Sequence, residues 1–436
     1  MNSIIELDLQ HVWHPCSQMK DYEIFPPLAV QKAIGSYLYL QDGRTIIDAI
    51  SSWWCKALGH AHPRLKKALL QQIEKFEHVI LANTTNETIV ELSQLLAKLT
   101  KNLNKIFYAS DGSCAVEIAL KMSLHAQQIR GFPERREIIA LQNGYHGETL
   151  GAMSVSDIGI YSQPYEALLF EAKIIKAIPY VSSRQDPLWH DCSAIWPDIE
   201  KQLNSWAKTA AAIIVEPIIQ GAGGMRIYSQ DFLRRLRVWS LQHEIYFIAD
   251  EIMTGLGRTG LPLACQHADI EPDFLCLSKN LTGGWLPLSA VCTSTAIYEL
   301  FYDDYANGKS FLHSHTFSGN ALAASVAIEC LKTLYDENIF QQAQALESKL
   351  FHLMQEVSER TGKLTHIRHI GGVVAADLIA EPQQRAGFAV YQKAVELGAL
   401  LRPLGNTLYW LPPLNVSDAT LHELMQITEK SILIAL

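Results

Sequence analysis

The sequence predicts an α/β protein, with a mostly parallel central sheet, helices on both faces, and a smaller α+β part built from both chain ends. Two observations favour this fold. From about residue 60 to residue 330, short apolar runs alternate with helix-compatible segments, which is typical of successive β-α-β units. Two of these runs lead directly to an ionisable residue, Asp250 and Lys279, and buried strands rarely carry charge without a task.

Five strands of the sheet are predicted from apolar runs that end in polar or glycine-containing loops. They cover residues 106–109, 138–141, 211–215, 245–249 and 274–277. The runs are apolar throughout, as expected of parallel strands that are covered on both faces. Open α/β sheets bind ligands at the carboxyl edge of their strands, so we expect Asp250 and Lys279 to lie close together there.

Segments near the two chain ends predict the smaller part. An Asp-Gly turn signal predicts a hairpin between residues 35–40 and 45–50. Beyond residue 320 the predicted elements are helical segments at 321–335, 340–359 and 388–397, and a strand-like stretch at 364–378 that is interrupted at Gly371 and Gly372. We therefore expect a large domain over residues 60–325 and a small domain formed by residues 1–59 and 326–436.

The composition favours a globular protein with a small-molecule partner. The 436 residues are 48% hydrophobic and carry a formal net charge of −9, without the clustered Lys and Arg that nucleic-acid binding requires. No secretory signal and no apolar stretch of the ~20 residues that span a bilayer is present, so we expect a cytoplasmic protein without a membrane partner. The eight cysteines are scattered, which predicts free thiols. No metal-binding motif accompanies the histidine pairs at residues 60 and 62 and at residues 313 and 315, so we expect no metal.

A phosphate site is suggested where the first predicted strand meets a helix. Gly112 and Ser113 lead into a helical pattern over residues 115–128, and the unpaired N–H groups of a helix amino terminus attract anions. Helix capping by Ser110 or Asp111 is the alternative interpretation.

The loops after the next strands carry further candidates. Tyr145 lies between two glycines, where its ring either stacks on a planar ligand or anchors the loop. Glu216 ends the third strand, and its role is left open. Residues 255–260 match the dinucleotide pattern GxGxxG, but no helical pattern follows them, so we do not expect a dinucleotide site there.

Asp250 and Lys279 together suggest pyridoxal phosphate. This cofactor needs an amine for its Schiff base and a carboxylate that keeps its pyridine nitrogen protonated. Gly283 and Gly284 support this interpretation, because small residues let the backbone approach a bound ring and a desolvated lysine becomes nucleophilic. A lysine that points into solvent is the alternative.

Together these motifs resemble those of class III aminotransferases, which are fold-type I enzymes that depend on pyridoxal phosphate. The resemblance runs over essentially the whole chain and rests on Gly112-Ser113, residues 143–147, Glu216-Pro217, residues 249–260, Ser278-Lys279 and residues 316–320. It implies that the catalytic residues are Lys279 and Asp250. The implied cofactor-binding residues are Gly112, Ser113, Tyr145, Asp250, Lys279, His315 and Thr316. The implied substrate-binding residues are Trp53, Tyr145, Lys279, Ser314, Arg402 and Cys16. Thr316 is expected to come from the partner subunit of a homodimer with shared active sites.

Residues near the chain ends narrow this resemblance. Residues 11–15, Trp53-Trp54 and Arg402 are similar to those of family members that transfer an amino group from S-adenosyl-L-methionine to 8-amino-7-oxononanoate in biotin biosynthesis. Tyrosine is common in these members where this chain has Cys16, and Gly-Pro where it has Ser314-His315, so recognition of the donor and stiffness of the phosphate loop are expected to differ. The alternatives are lysine as the donor, a class III aminotransferase for another ω-amine (a diamine, γ-aminobutyrate or β-alanine), and a cofactor-binding protein without catalysis.

Overall fold

The computed structural model describes residues 3–381 and 383–436. Its strands are β1 (Val30–Ile34), β2 (Tyr37–Leu40), β3 (Thr45–Asp48), β4 (Lys105–Ala109), β5 (Glu137–Leu141), β6 (Lys173–Ile175), β7 (Tyr180–Val181), β8 (Ala210–Val215), β9 (Ile219–Gln220), β10 (Arg226–Tyr228), β11 (Tyr246–Asp250), β12 (Phe274–Leu277), β13 (Ser289–Thr293), β14 (Leu364–Ile370), β15 (Val373–Leu378), β16 (Ala399–Leu400) and β17 (Thr407–Trp410).

The helical segments are α1 (Ile4–His11), α2 (Ser51–Trp54), α3 (Pro63–Ile73), α4 (Glu87–Thr100), α5 (Gly112–Ile129), α6 (Leu150–Ser154), α7 (Gly159–Ser162), α8 (Pro187–His190), α9 (Trp196–Trp206), α10 (Gln230–Gln242), α11 (Thr295–Phe301), α12 (Ala321–Asp336), α13 (Ile339–Thr361), α14 (Ala386–Leu397) and α15 (Asp418–Ala435). Short 3₁₀ helices cover Met19–Glu23, Gln163–Leu168, Ala264–Ala268, Lys279–Thr282 and Tyr305–Asn307. None of these helices is both long and apolar enough to cross a membrane.

A seven-stranded sheet in the order β4-β13-β12-β11-β8-β5-β6 forms the centre of the described structure. β11 pairs in parallel with β8 and β12, and β5 pairs in parallel with β8 and β6. β13 runs antiparallel to both of its neighbours, β12 and β4. The mostly parallel sheet and all five predicted strands are confirmed, whereas β6 and β13 have no counterpart among the predicted strands.

Alternate residues of each central strand enter different cores on the two faces of the sheet. In β5, Ile138 packs in the cluster that includes α5, whereas Ile139 packs in the cluster that includes α10. This follows from the two-residue period of a strand, and it explains why all six residues of β8 are buried. Burying one such aliphatic side chain stabilises the folded chain by about 1.5–3 kcal/mol. These apolar runs therefore fix the positions at which the strands end.

The two chain ends meet in a four-stranded sheet of order β1-β2-β3-β16. The hairpin predicted around the Asp-Gly turn is confirmed as β2 and β3, which pair antiparallel, and β3 pairs in parallel with β16 from the far end of the chain. β14, β15 and β17 form a further antiparallel sheet, with the predicted break at Gly371 and Gly372 as its turn. The domain boundaries at residues 60 and 325 stay a prediction.

The glycine-rich residues 255–260 support this turn and do not open a helix. Their Arg258 is buried, and its Nη1 atom donates to the carbonyl oxygens of Gly372 (3.2 Å) and Pro412 (2.8 Å). The N–H of Gly372 donates in return to the Arg258 carbonyl oxygen (2.9 Å). The prediction that this GxGxxG match is not a dinucleotide site therefore agrees with a packing role.

Replacing Gly371 by alanine is expected to destabilise the fold strongly. Its φ of +52° disfavours a side chain, and an added Cβ would collide with the backbone of Thr259 and Gly260. Gly362→Ala is the matched control, because Gly362 has a φ of +64° and open space around it. We expect a loss of about 1 kcal/mol for the control and roughly 2–4 kcal/mol for Gly371→Ala, measured by denaturant unfolding. Equal losses would contradict the packing argument.

Candidate active site

Three neighbouring strands deliver ionisable residues to the carboxyl edge of the sheet. β8 is followed by Glu216, β11 ends in Asp250, and Lys279 follows β12 after Ser278. All three side chains line one cavity of about 510 Å³, which we call the main cavity. The expected meeting of Asp250 and Lys279 at this edge is therefore confirmed.

Asp250 is held in place by two hydrogen bonds. Its Oδ2 atom lies 2.7 Å from Nδ1 of the buried His146, and its Oδ1 atom accepts the N–H of Ile252 (3.1 Å). His146 belongs to the loop after β5, so this pair joins two strands that are not neighbours in the sheet. The carboxylate consequently has a defined orientation toward the main cavity.

Lys279 lines the main cavity at the start of a 3₁₀ turn. Burial desolvates its amine and lowers the pKa of that group, although the negative charges of Asp250 and Glu216 oppose the effect. Its Nζ atom lies 5.2 Å from the ring centroid of Trp54. A lysine in this setting is more readily neutral, and hence more nucleophilic, than one in water.

Glu216 connects two loops at the cavity edge, which gives a role to a residue whose role was open from the sequence. Its Oε1 atom accepts the N–H of Tyr145 (2.9 Å), and its Oε2 atom accepts the N–H of Gly221 (2.9 Å). Burial raises its pKa to about 7. Nearby Asp250 also raises this pKa, while His146 and the two N–H donors lower it. Glu216 thus fixes the backbone that carries Tyr145.

The amino terminus of α5 faces the main cavity through Gly112 and Ser113. The capping alternative also holds, since the Asp111 carboxylate accepts the N–H of Cys114 (3.0 Å). Close packing requires glycine here, because a Cβ on Gly112 would lie 2.9 Å from Cδ1 of Ile252 and one on Gly147 would collide with Ser113. An 18-residue helix with its amino terminus at the cavity can bind an anion there.

A strained turn places the two tryptophans. Residues 51–54 all have positive φ, from +46° to +73°, so the segment is left-handed rather than a normal helix. Trp54 is buried, lines the main cavity and donates its indole N–H to the Tyr409 hydroxyl (3.1 Å). Trp53 is 37% exposed and lies outside the core, so packing in the core does not account for its position.

A second cavity of about 320 Å³, the side cavity, adjoins the main one. The two share Trp54, Cys55, Tyr145 and Lys279 in their linings. The side cavity is further lined by Cys16, Ser52, Trp53, Glu148, Tyr161, Ala222, Arg402 and Leu404. The structure therefore brings together Cys16, Trp53, Tyr145, Lys279 and Arg402 of the predicted substrate-binding set.

Arg402 and Glu148 give the side cavity charges of opposite sign. The Arg402 guanidinium stacks on Trp53, with its Cζ atom 4.0 Å from the ring centroid. Glu148 accepts the hydroxyl proton of Tyr145 (3.0 Å). A ligand with a carboxylate and a cationic group suits this arrangement.

Ser314, His315 and Thr316 lie apart from both cavities within the described chain. Ser314 and Thr316 are exposed, and the Thr316 carbonyl oxygen lies 2.8 Å from Nε2 of His78. His315 contacts His313, with 3.0 Å between their Nε2 atoms. One chain alone does not bring these three residues to the main cavity.

Four site residues have no predicted role from the sequence: Trp54, His146, Glu148 and Tyr161. Trp54 and His146 lie in motifs that carry the resemblance, but within those motifs Trp53 and Tyr145 are equally good candidates for a contact with a ligand. Glu148 directly follows such a motif. Tyr161 lies in a short helical segment without any distinctive pattern.

The residues at this edge fit pyridoxal phosphate. The main cavity has a volume typical of small-molecule sites, and it holds a desolvated lysine, an oriented carboxylate and the amino terminus of an 18-residue helix. Tyr145 lines the same cavity and can flank a planar ring. The lysine suits the aldehyde of this cofactor, the carboxylate suits its pyridine nitrogen, the helix amino terminus suits its phosphate, and Tyr145 suits its ring.

The shifted pKa of Glu216 predicts a pH dependence of stability. Its ordinary pKa is 4.5, so between about pH 4.5 and 7 the folded chain keeps a proton that the unfolded chain has lost. Raising the pH through this window therefore lowers the free energy of unfolding. We expect Glu216→Gln to show a smaller decline of Tm across the window than the wild type. Parallel Tm curves for the two proteins would contradict the shift.

The arrangement is that of known aminotransferases. The family model "Aminotransferase class-III" matches residues 18–432. The adenosylmethionine-8-amino-7-oxononanoate aminotransferase of Helicobacter pylori is 40% identical over 415 residues, which cover 94% of this chain and 93% of that protein. The crystal structure of the enzyme of that name from Methanocaldococcus jannaschii has a TM-score of 0.92 at 31% identity and covers 99% of each chain. An amine transaminase from an uncultivated Pseudomonas species, in a PLP-bound form, has a TM-score of 0.90 at 27% identity and covers 98% of this chain and 99% of that one. This chain belongs to the class III aminotransferase family and is a pyridoxal phosphate-dependent aminotransferase.

Proposed function

We propose that this protein transfers an amino group from S-adenosyl-L-methionine to 8-amino-7-oxononanoate, giving 7,8-diaminononanoate for biotin biosynthesis. Relatives named for this reaction match 94% or more of the chain at 30–40% identity. The observation that carries the proposal is the side cavity, which offers a guanidinium and a carboxylate next to Lys279.

Both proposed substrates carry the charges that this cavity complements. S-adenosyl-L-methionine has a carboxylate and a cationic sulfonium, and 8-amino-7-oxononanoate has a carboxylate and an amine. Arg402 would bind the carboxylate by paired hydrogen bonds, while Glu148 and the face of Tyr145 would attract the cationic part. One cavity could therefore serve donor and acceptor in turn.

The protein's own residues would bind the cofactor and move the proton. Pyridoxal phosphate, when bound, supplies an electron sink for the carbon that loses a proton. Lys279 would hold the cofactor by its amine and then act as the base at the substrate carbon, a role that its lowered pKa favours. Asp250, oriented by His146, would keep the pyridine nitrogen protonated. Gly112 and Ser113 would bind the phosphate.

We also propose a homodimer in which Thr316, His315 and Ser314 complete the partner's active site. Support comes from their position outside both cavities of their own chain, on a loop with large exposed apolar side chains. Leu312 is 84% exposed and Phe317 is 58% exposed, which is typical of a surface that another chain covers. All eight cysteines are free, which suits a reducing cytoplasm, where we place the protein.

The donor assay tests the proposed reaction. Purified protein loaded with pyridoxal phosphate is offered single amines, and conversion of the cofactor to its amine form is followed by absorbance. We expect conversion with S-adenosyl-L-methionine but not with lysine or γ-aminobutyrate, and return of the spectrum on adding 8-amino-7-oxononanoate. Lack of conversion with S-adenosyl-L-methionine would exclude it as the donor. Lys279→Ala should abolish turnover, and native rates in that variant would exclude Lys279 as the catalytic base.

Subunit complementation tests the shared site. Lys279→Ala and Thr316→Asp should each be inactive, the first without its base and the second because a carboxylate repels the cofactor phosphate. When the two variants are mixed and allowed to exchange subunits, mixed dimers should regain activity in the site that has both wild-type residues. Failure to regain activity, with subunit exchange shown by mass, would contradict a Thr316 contribution from the partner.

A further inference from the structure

Cys16 links two side chains on one wall of the side cavity. Its thiol donates to the hydroxyl oxygen of Tyr161 (3.6 Å), and its carbonyl oxygen accepts Nη2 of Arg402 (3.2 Å). All three residues line the side cavity. The half-buried Tyr161 ring contacts the Tyr145 ring, with 5.8 Å between their centroids.

The two tyrosines of this wall use their protons differently. The Tyr145 hydroxyl donates to Glu148 (3.0 Å), so its proton has a protein acceptor. Within residues 3–381 and 383–436, the hydrogen-bond partner of the Tyr161 hydroxyl is the Cys16 thiol, which is a weak donor and a weak acceptor. Burial raises the pKa of Tyr161 to about 12, so the phenol stays protonated near neutral pH. Tyr161 is therefore the tyrosine of this wall whose O–H is paired with a weak partner and can be donated to a ligand.

We infer that Tyr161 is a substrate-binding residue that donates a hydrogen bond to the substrate carboxylate beside Arg402. This inference rests on the proposed function and adds a specificity determinant to the same site. The carboxylate would lie between a guanidinium and a phenol that Cys16 holds on one wall, a two-donor arrangement that fixes its direction as well as its charge. In this way a chain with cysteine at position 16 presents a phenol to the side cavity from another segment.

Removal of the Tyr161 hydroxyl is expected to lower kcat/KM for substrates that carry a carboxylate and to leave other amines unaffected. A hydrogen bond to a charged acceptor is stronger than one between neutral groups. Removing it should therefore lower kcat/KM for carboxylate-bearing substrates about tenfold or more. An amine without a carboxylate, such as a straight-chain diamine, makes no such bond. It should be processed equally well, however slowly, with and without the hydroxyl.

The experiment compares Tyr161→Phe with the wild type and with Tyr165→Phe. Tyr165 is a matched control, because it is 49% exposed, lies four residues further along the chain and lines neither cavity. Each half-reaction is measured with the carboxylate-bearing amine that the wild type uses best and with a diamine. The expected result is a loss with the carboxylate-bearing amine in Tyr161→Phe alone, with no change for the diamine and an unchanged spectrum of the loaded enzyme.

A second readout reports binding without turnover. Cys16 is exposed, so its alkylation rate is followed by mass spectrometry, and a substrate in the side cavity should protect it. Protection should need a higher concentration of carboxylate-bearing substrate in Tyr161→Phe than in Tyr165→Phe. Equal kinetics and protection in the two variants, or an equal loss for the diamine, would overturn the inference. A wild type that rejects S-adenosyl-L-methionine but uses another carboxylate-bearing amine would refute only the proposed function.

Discussion

The active site depends on burying ionisable side chains at the edge of a sheet whose strands are apolar on both faces. Glu216, Asp250 and Lys279 reach this edge from three adjacent strands. The two carboxyl groups are buried and Lys279 is half-buried, and removing such groups from water would be costly without partners. Each of the three groups has such partners. Glu216 accepts two backbone N–H groups, Asp250 pairs with His146 and a backbone N–H, and the negative charges of Asp250 and Glu216 lie near Lys279. These contacts also hold the loops after β5, β8 and β11 in one arrangement. The same interactions therefore stabilise the buried charges and position the residues of the site.

A second constraint is the left-handed turn at residues 51–54, where ordinary residues adopt positive φ at a cost of about 1–2 kcal/mol each. Such a turn persists only if its surroundings determine it. The Ser51 hydroxyl donates to the Leu411 carbonyl oxygen (2.7 Å), the Trp54 indole donates to Tyr409, and the Ser52 hydroxyl donates to Asp48 (2.8 Å). Two of these partners come from the carboxyl-terminal part of the chain. The pairing of the chain ends thus places Trp53 at the side cavity and Trp54 where the side cavity and the main cavity adjoin.

The parts of the fold that the sequence could predict are those with a local signal. Long apolar runs such as β8 and β11 are recognised because every residue is buried, and the Asp-Gly turn marks its hairpin directly. β13, with the sequence Ser-Ala-Val-Cys-Thr, is small and partly polar, and β6 has three residues, so neither gives a pattern above background. The antiparallel direction of β13 depends on contacts between strands and cannot be read from one segment.

The same distinction applies to the site. Asp250 and Lys279 were predictable because charge after an apolar run is conspicuous, and Gly112 because it opens a helix. Tyr161 was not, since its place at the side cavity involves a contact with Cys16, a residue 145 positions earlier. A cavity wall assembled from distant segments can change one member and compensate with another, whereas the lysine and carboxylate have no substitutes in the chemistry. Differences in substrate preference within such a fold are therefore expected to arise in the side cavity, while the main cavity stays constrained by the cofactor.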